Sequence, residues 1–444
     1  MNLNFELLTG YAMTIAAFLF TLGVLVLVHE FGHFWVAKRC GVRVLKFSIG
    51  MGPRMVGVQH GETEYLISWV PFGGYVKMAG EDPDEAKTGA PDEFMSKPPR
   101  VRAAIIIAGP AMNYVLAIVI FIGLFLVHGV DTIKTRVVGA VEAGSPGEQA
   151  GFLAGDEILT VDGQVVSNWH AFESTLMKAA PNPVTVGVQR GDAVQDIALA
   201  IPTTGENKFA FGLHPYVSAE VGELQKRGPA WRGGIRKGDL IIAIDSTPVD
   251  RWSEVARLVR QKPGVPVQVT WLRNGETHSA SITPDSEEVL GADGKIEEIG
   301  VIRIAQKLDR ERLAPWTAAT MGFQRTIDAT MDVFRFFGEL LRMRVTFDMV
   351  GGPIRIGQIA GESARWGIQS LIGLVALLSV NLAVLNLFPI PVLDGGHLFL
   401  MAIEKVMGRP LSLRQRLVLQ QIGLVVIILL MVTVTTGDIR RLFR

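Results

Sequence analysis

Within the stretch LVLVHEFGHFWVAKR, His29 and His33 stand four residues apart with Glu30 between them. On a helix that spacing puts both imidazoles on one face, about a turn apart. Neutral imidazoles so placed can share one Zn2+, and a glutamate beside them can act as general base toward water. A hydrolytic zinc site also needs a third protein ligand and an open position. NLFPIPVLDGGH, far along the chain, offers Asp394 and His397. Residue chemistry leaves both open, since carboxylate-completed and three-histidine sites exist. The plainer readings are two solvated histidines in a turn, and an aspartate that opens a turn at Gly395–Gly396.

Both motifs stand at the ends of apolar runs. Residues 7–28, 103–127, 367–388 and 417–436 contain no Asp, Glu, Lys or Arg. Each is as long as a bilayer core requires, about 20 residues. No Lys or Arg precedes the first run and no small-residue cleavage pattern follows it, so it is expected as a retained span, not a signal peptide. Ionisable groups continuing a span are costly and tend to be functional. Spans one and three run in the same direction, so their C-terminal ends emerge on one side and Asp394 can meet the histidines at similar depth. Lys38, Arg39, Arg43 and Lys46 follow span one, and Arg100 and Arg102 lead into span two. The positive-inside rule then puts the 29–102 loop in the cytoplasm and 128–366 outside. Arg440, Arg441 and Arg444 fall outside in this arrangement, against the rule. Of the residues, 19% are charged and mean hydropathy is +0.32; the formal charge of zero gives no support for nucleic-acid binding. A single cysteine, Cys40, excludes an internal disulfide framework and a cysteine-rich metal site.

Between spans two and three the chain repeats itself. GFLAGDEILTVDGQVVSNW begins at Gly151 and GIRKGDLIIAIDSTPVDRW at Gly234; Asp156, Asp162 and Trp169 recur as Asp239, Asp245 and Trp252 without a gap. Arg190 likewise aligns with Arg273. This is a tandem module of roughly 80 residues. Short apolar strands ending at Asp turns, then helical and further β-rich stretches, make it α+β. Residues 316–342 carry Trp316, Phe323, Ile327, Met331, Phe334 and Leu341 at helical spacing, an amphipathic pattern suited to a membrane surface and equally to an ordinary helix packed against the repeats. Residues 47–78 read as two or three β runs broken by glycines, a candidate edge for strand addition.

HEFGH paired with LDGGH, on spans flanking a module pair of Gly-x-x-x-Gly-Asp pattern, resembles the site-2 intramembrane zinc metalloproteases, and the modules resemble PDZ domains. GPAMN (Gly109, Pro110, Asn113) and FGGYVKM (Phe72 to Met78) add to the likeness, which covers essentially the whole chain. The resemblance implies His29, His33 and Asp394 as zinc ligands, choosing Asp394 over His397, and Glu30 as catalytic base. It associates Asn386, Pro389 and Pro391 with substrate handling, with Asn381 one turn earlier. The expected fold is a polytopic α-helical membrane protein with four transmembrane helices, two tandem α+β PDZ-like domains and a small membrane-associated β region. In order these are 1–40 (first span with the zinc motif), 41–100 (cytoplasmic β-rich loop), 101–128 (second span), 129–205 and 206–290 (PDZ-like), 310–366 (amphipathic segment at the membrane surface), 367–400 (third span with the third ligand) and 412–437 (fourth span). The resemblance further implies a bacterial inner-membrane protease with periplasmic PDZ-like domains and an active site toward the cytoplasm. Its substrates would be single-span proteins already trimmed outside, such as anti-sigma factors, and remnant signal peptides, in an envelope stress response. The partners would be these substrates, the lipid bilayer and peptide segments at the modules, with no nucleic acid. A membrane scaffold with a structural zinc and a transporter are the competing classes; four structural ligands and a repeated membrane half, respectively, would mark them.

Overall fold

The computed structural model describes residues 2–81, 89–179, 182–201, 211–290, 296–342, 351–409 and 411–442. The chain divides into two compact units, one of residues 1–128 with 312–444 and the other of 129–311. Among the described residues four helices are long and apolar enough to cross a membrane: Gly10–Arg39, Pro99–His128, Ile368–Asn386 and Arg414–Arg440.

In the first unit, α1 (Asn2–Arg39) leads into a hairpin of β1 (Val44–His60) and β2 (Thr63–Met78), and α2 (Pro99–His128) follows. The hairpin folds back on itself. Lys46 to Ile49 lie antiparallel to 74–77 on one side and run in the same direction as 64–67 on the other, while 56–60 return along 63–67. Gly50 and Gly52, at φ +87° and +85°, permit that bend, and a Cβ at Gly50 would lie 2.8 Å from the Val70 carbonyl oxygen. Residues 74–78 are thereby left as an edge.

The second unit holds two modules built alike. The first has α3 (Pro146–Ala150) and α4 (Trp169–Ala179); the second has α5 (Pro229–Arg232) and α6 (Trp252–Arg260). Each packs its helices on a four-stranded antiparallel sheet and has its own core, around Phe152, Ile158 and Phe172 in the first and Ile235, Ile241 and Trp271 in the second. The repeated Asp and Arg form one device used twice. Arg190 Nε donates to buried Asp156 Oδ1 at 2.7 Å and Arg273 Nε to buried Asp239 Oδ1 at 2.7 Å. The same carboxylates accept from the Leu153 and Arg236 backbone N–H groups and so close the preceding turns. Each module also takes a strand from beyond its repeat. Leu213–Pro215 pairs with Val138–Val141, and Ile304–Gln306 with Val221–Leu224. The modules therefore run past residues 205 and 290, the limits that the repeat suggested; the 205/206 boundary itself lies outside the described residues.

The chain then returns to the first unit through α7 (Pro315–Leu341), α8 (Pro353–Trp366), α9 (Ile368–Asn386), α10 (Asp394–Met407) and α11 (Leu413–Leu442). Small residues make the crossings, because helices in lipid associate by close packing. A Cβ at Gly32 would lie 2.3 Å from the Ala108 carbonyl oxygen, and one at Gly361 2.3 Å from Thr14 Oγ1. The helix α7 packs against α2. Gly322 abuts Ile122, and Thr330 Oγ1 meets Tyr114 Oη at 3.5 Å. Contacts eight residues apart on both helices, in opposite order, set α7 lengthwise and antiparallel along α2 for about 12 Å. Ala318, Thr326 and Ala329 are buried, whereas Trp316, Phe323, Ile327, Met331 and Phe334 face outward.

Candidate metal centre

Three helix segments meet at the histidines. The helix α1 carries His29, Glu30 and His33; α2 packs against them; α10 begins at Asp394. The chain stops being helical at Asn386, ahead of Pro389 and Pro391, as proline's missing donor and ring sterics require. The seven residues 387–393 then fold tightly under the start of α10, where a Cβ at Gly395 would lie 2.3 Å from the Leu387 carbonyl oxygen and one at Gly396 2.1 Å from that of Ile390. Asp394 occupies the first turn of α10, where unpaired N–H groups and the helix dipole favour a carboxylate.

Three donor atoms converge there. His29 Nε2 is 3.1 Å from Asp394 Oδ2, His33 Nε2 is 3.5 Å from the same oxygen, and the two Nε2 atoms are 3.3 Å apart. Tetrahedral ligands about 2.0–2.1 Å from zinc stand about 3.4 Å from one another. The observed triangle has those edges. Asp394 Oδ2 is buried and accepts no hydrogen bond, which suits an oxygen meant for a cation. His33 Nδ1–H donates to the Ile105 carbonyl at 2.8 Å, leaving Nε2 with its lone pair toward the triangle. Among the described residues no other His, Cys, Asp or Glu joins these three as a convergent donor set. His397, the rival third ligand, is exposed on α10 outside the group.

Glu30 is half-buried beside the triangle, against the edge segment of β2: a Cβ at Gly74 would lie 2.9 Å from Glu30 Cγ and 2.8 Å from both Val26 Cγ1 and the Ser48 carbonyl oxygen. Asn386 reaches the site, its Nδ2 3.4 Å from His29 Nε2. Pro391 packs on α11, where a Cβ at Gly423 would come within 3.1 Å of it. Asn381 makes no side-chain hydrogen bond among the described residues and is not one of the groups at the triangle. The sequence motif GPAMN does not by itself reveal that α2 supports the site. A Cβ at Gly109 would lie 2.2 Å from His33 Nε2 and 2.9 Å from His29 Cε1, so this glycine is what lets α2 lie against the imidazole pair.

Membrane-length helices presenting this donor set agree with what comparison finds. The profile of peptidase family M50 matches residues 17–430, and the chain belongs to that family. It is a zinc metalloprotease of the site-2 type. A Neisseria meningitidis protein whose name includes the words "zinc metalloprotease" is 35% identical over 97% of this chain and 99% of its own. The regulator of sigma-E protease RseP of Escherichia coli is 33% identical over 98% of this chain and 100% of its own. A solved PDZ domain of an SdrC-like protein from Listeria monocytogenes aligns with 21% of this chain and 90% of its own, at 20% identity and a TM-score of 0.16.

Proposed function

We propose that this protein cuts peptide bonds inside the transmembrane segments of single-span proteins, with His29, His33 and Asp394 holding the zinc and Glu30 moving the proton. The observation that carries the reading is the triangle of 3.1, 3.3 and 3.5 Å, built from an imidazole pair on one span and a carboxylate just beyond another. Bound zinc supplies a Lewis acid that polarises the scissile carbonyl and makes water acidic near neutral pH. Glu30 takes the proton of the attacking water and returns it to the leaving amine. A structural zinc would be closed by four protein ligands and would have no use for Glu30; only three donors converge among the described residues.

A helix inside lipid satisfies its own backbone hydrogen bonds. Unwinding it for cleavage leaves those groups unpaired, and the edge at residues 74–78, next to Glu30, offers replacements by strand addition. The amide of Asn386 holds the exposed substrate backbone from the other side, and the irregular 387–393 segment with Pro389 and Pro391 keeps that side open. Asn381 stands farther back on α9 and contributes to substrate handling only through the packing of that helix.

The protein acts in a bacterial inner membrane with its metal centre toward the cytoplasm, a placement supported by the basic residues flanking spans one and two. The two PDZ-like modules then stand in the periplasm, bind peptide segments and exclude substrates with bulky outer domains. A relative named for regulating sigma-E supports anti-sigma factors, trimmed beforehand, as substrates in an envelope stress response. Remnant signal peptides share the same single-span chemistry.

The test is cleavage of a one-span substrate by purified protein, with and without chelator. Glu30→Gln should keep its zinc and lose turnover. Retained cleavage by that variant would remove Glu30 from the mechanism.

A further inference from the structure

Asn113 has no part in the chemistry above, yet its side chain is wholly buried in a membrane-length helix, where an amide must find partners. Its backbone carbonyl accepts from Ser379 Oγ at 2.9 Å, tying α2 to α9. Its side chain lies against His29. Nδ2 stands 3.3 Å from His29 Nδ1, while Asn113 Oδ1 is buried with no partner at all.

That amide orientation does not suit a His29 that binds zinc through Nε2. The other ring nitrogen, Nε2, also faces an amide nitrogen, that of Asn386 at 3.4 Å. A neutral imidazole carries one N–H and can accept at only one nitrogen. His29 Nε2 also lies 3.1 Å from Asp394 Oδ2 and 3.3 Å from His33 Nε2. When Nε2 gives its lone pair to zinc, the one N–H is on Nδ1 and the Asn113 amide must present its oxygen there. A half-turn of that amide puts Oδ1, unpaired as it stands, against Nδ1–H. Amide nitrogen and oxygen are nearly equal in size, so the exchange disturbs no packing.

We propose that Asn113 is the positioning residue for His29. Its Oδ1 accepts from His29 Nδ1–H and keeps Nε2 bare toward His33 and Asp394, as the Ile105 carbonyl does for His33. Gly109 and Asn113, four apart on α2, share the face that meets the imidazoles, the one by leaving room and the other by fixing a ring. Zinc ligands whose second nitrogen is held in this way lose about 10–100-fold in metal affinity when the holder is removed. The proposal rests on His29 being a zinc ligand.

The experiment is zinc competition against a chelator with the purified full-length protein in detergent. Asn113→Leu should bind zinc about 10–100-fold more weakly, and Asn113→Asp, which keeps an acceptor oxygen, should stay within about fivefold of the parent. Ser379→Ala, which cuts the tie to α9 without touching the amide–imidazole contact, should keep the parent's affinity. Unchanged zinc binding in Asn113→Leu, an Asp variant no tighter than the Leu variant, or an equal loss in Ser379→Ala overturns the proposal. His29→Ala and Asp394→Ala separate the two levels. If these retain parental affinity the ligand assignment itself fails; if they lose zinc and Asn113→Leu does not, only the role of Asn113 falls. Should Asn113→Leu not fold, the Asp variant decides, with retention within about fivefold in support and a larger loss against.

Discussion

Gly109→Ala is the sharpest perturbation that the metal centre allows, because it adds one methyl group at a known place. That methyl would sit 2.2 Å from His33 Nε2, 2.6 Å from His33 Cε1 and 2.9 Å from His29 Cε1. Ordinary contact between such atoms is about 3.5 Å, so an imidazole or the helix must yield by about 1.3 Å. Neither ring can move alone. His33 is held through Nδ1 by Ile105 on the same helix as the new methyl, and His29 is packed at the Asn113 amide. The donor triangle therefore opens. A misplacement of about 1 Å costs on the order of 100-fold in rate. Cleavage of a one-span substrate by the purified variant, with zinc content measured on the same sample, is the assay. Gly123→Ala on the same helix is the control, since its Cβ meets nothing within 4 Å; it should cleave normally and gain up to about 1 kcal/mol of helix stability. Parental rates and full zinc in Gly109→Ala would refute the packing of α2 against the imidazole pair.

Other consequences are open to measurement. Asn386→Ala should cut cleavage at least tenfold, about the worth of one charge-free hydrogen bond to the substrate backbone, with zinc content unchanged; parental rates would discard its role. Deleting residues 133–307, both modules with their returning strands, should admit substrates with intact outer domains, and unchanged discrimination between trimmed and intact substrates would reject the filter. In the first module, burial alone would raise the Asp156 carboxyl, but Arg190 and the Leu153 N–H outweigh it and hold it below the usual carboxylate range. A depressed folded value gives stability that is complete above the unfolded value of about 3.9 and is lost as pH falls through the folded one. Thermal melts of the 129–311 unit should thus hold level down to about pH 4 and fall below it. Asp156→Ala should cost about 2 kcal/mol at neutral pH and weaken that acid dependence; an unaltered acid limb would contradict the assignment.

The amino-acid sequence determined what depends on near neighbours and on repetition. Long uncharged runs mark membrane-length helices without reference to any partner, and α1, α2, α9 and α11 occupy those four runs. The 83-residue repeat carried the twin modules with their Asp–Arg pairs, because a duplicated pattern reports a duplicated core. His29 and His33 share a face by helical spacing alone. What the tertiary structure decided concerns pairs of residues far apart in the chain. It placed Asp394, and not His397, within 3.5 Å of both imidazoles, a choice made by how 387–393 folds onto α10. It set α7 along α2, because amphipathic spacing marks an apolar stripe without saying that Ala318, Gly322 and Ala329 on the other face are the better packing surface. It gave each module a returning strand from beyond its repeat, and gave the imidazoles their support from Ile105, Gly109 and Asn113. Periodicity specifies which side of an element faces a neighbour; only close packing in three dimensions specifies which neighbour it is.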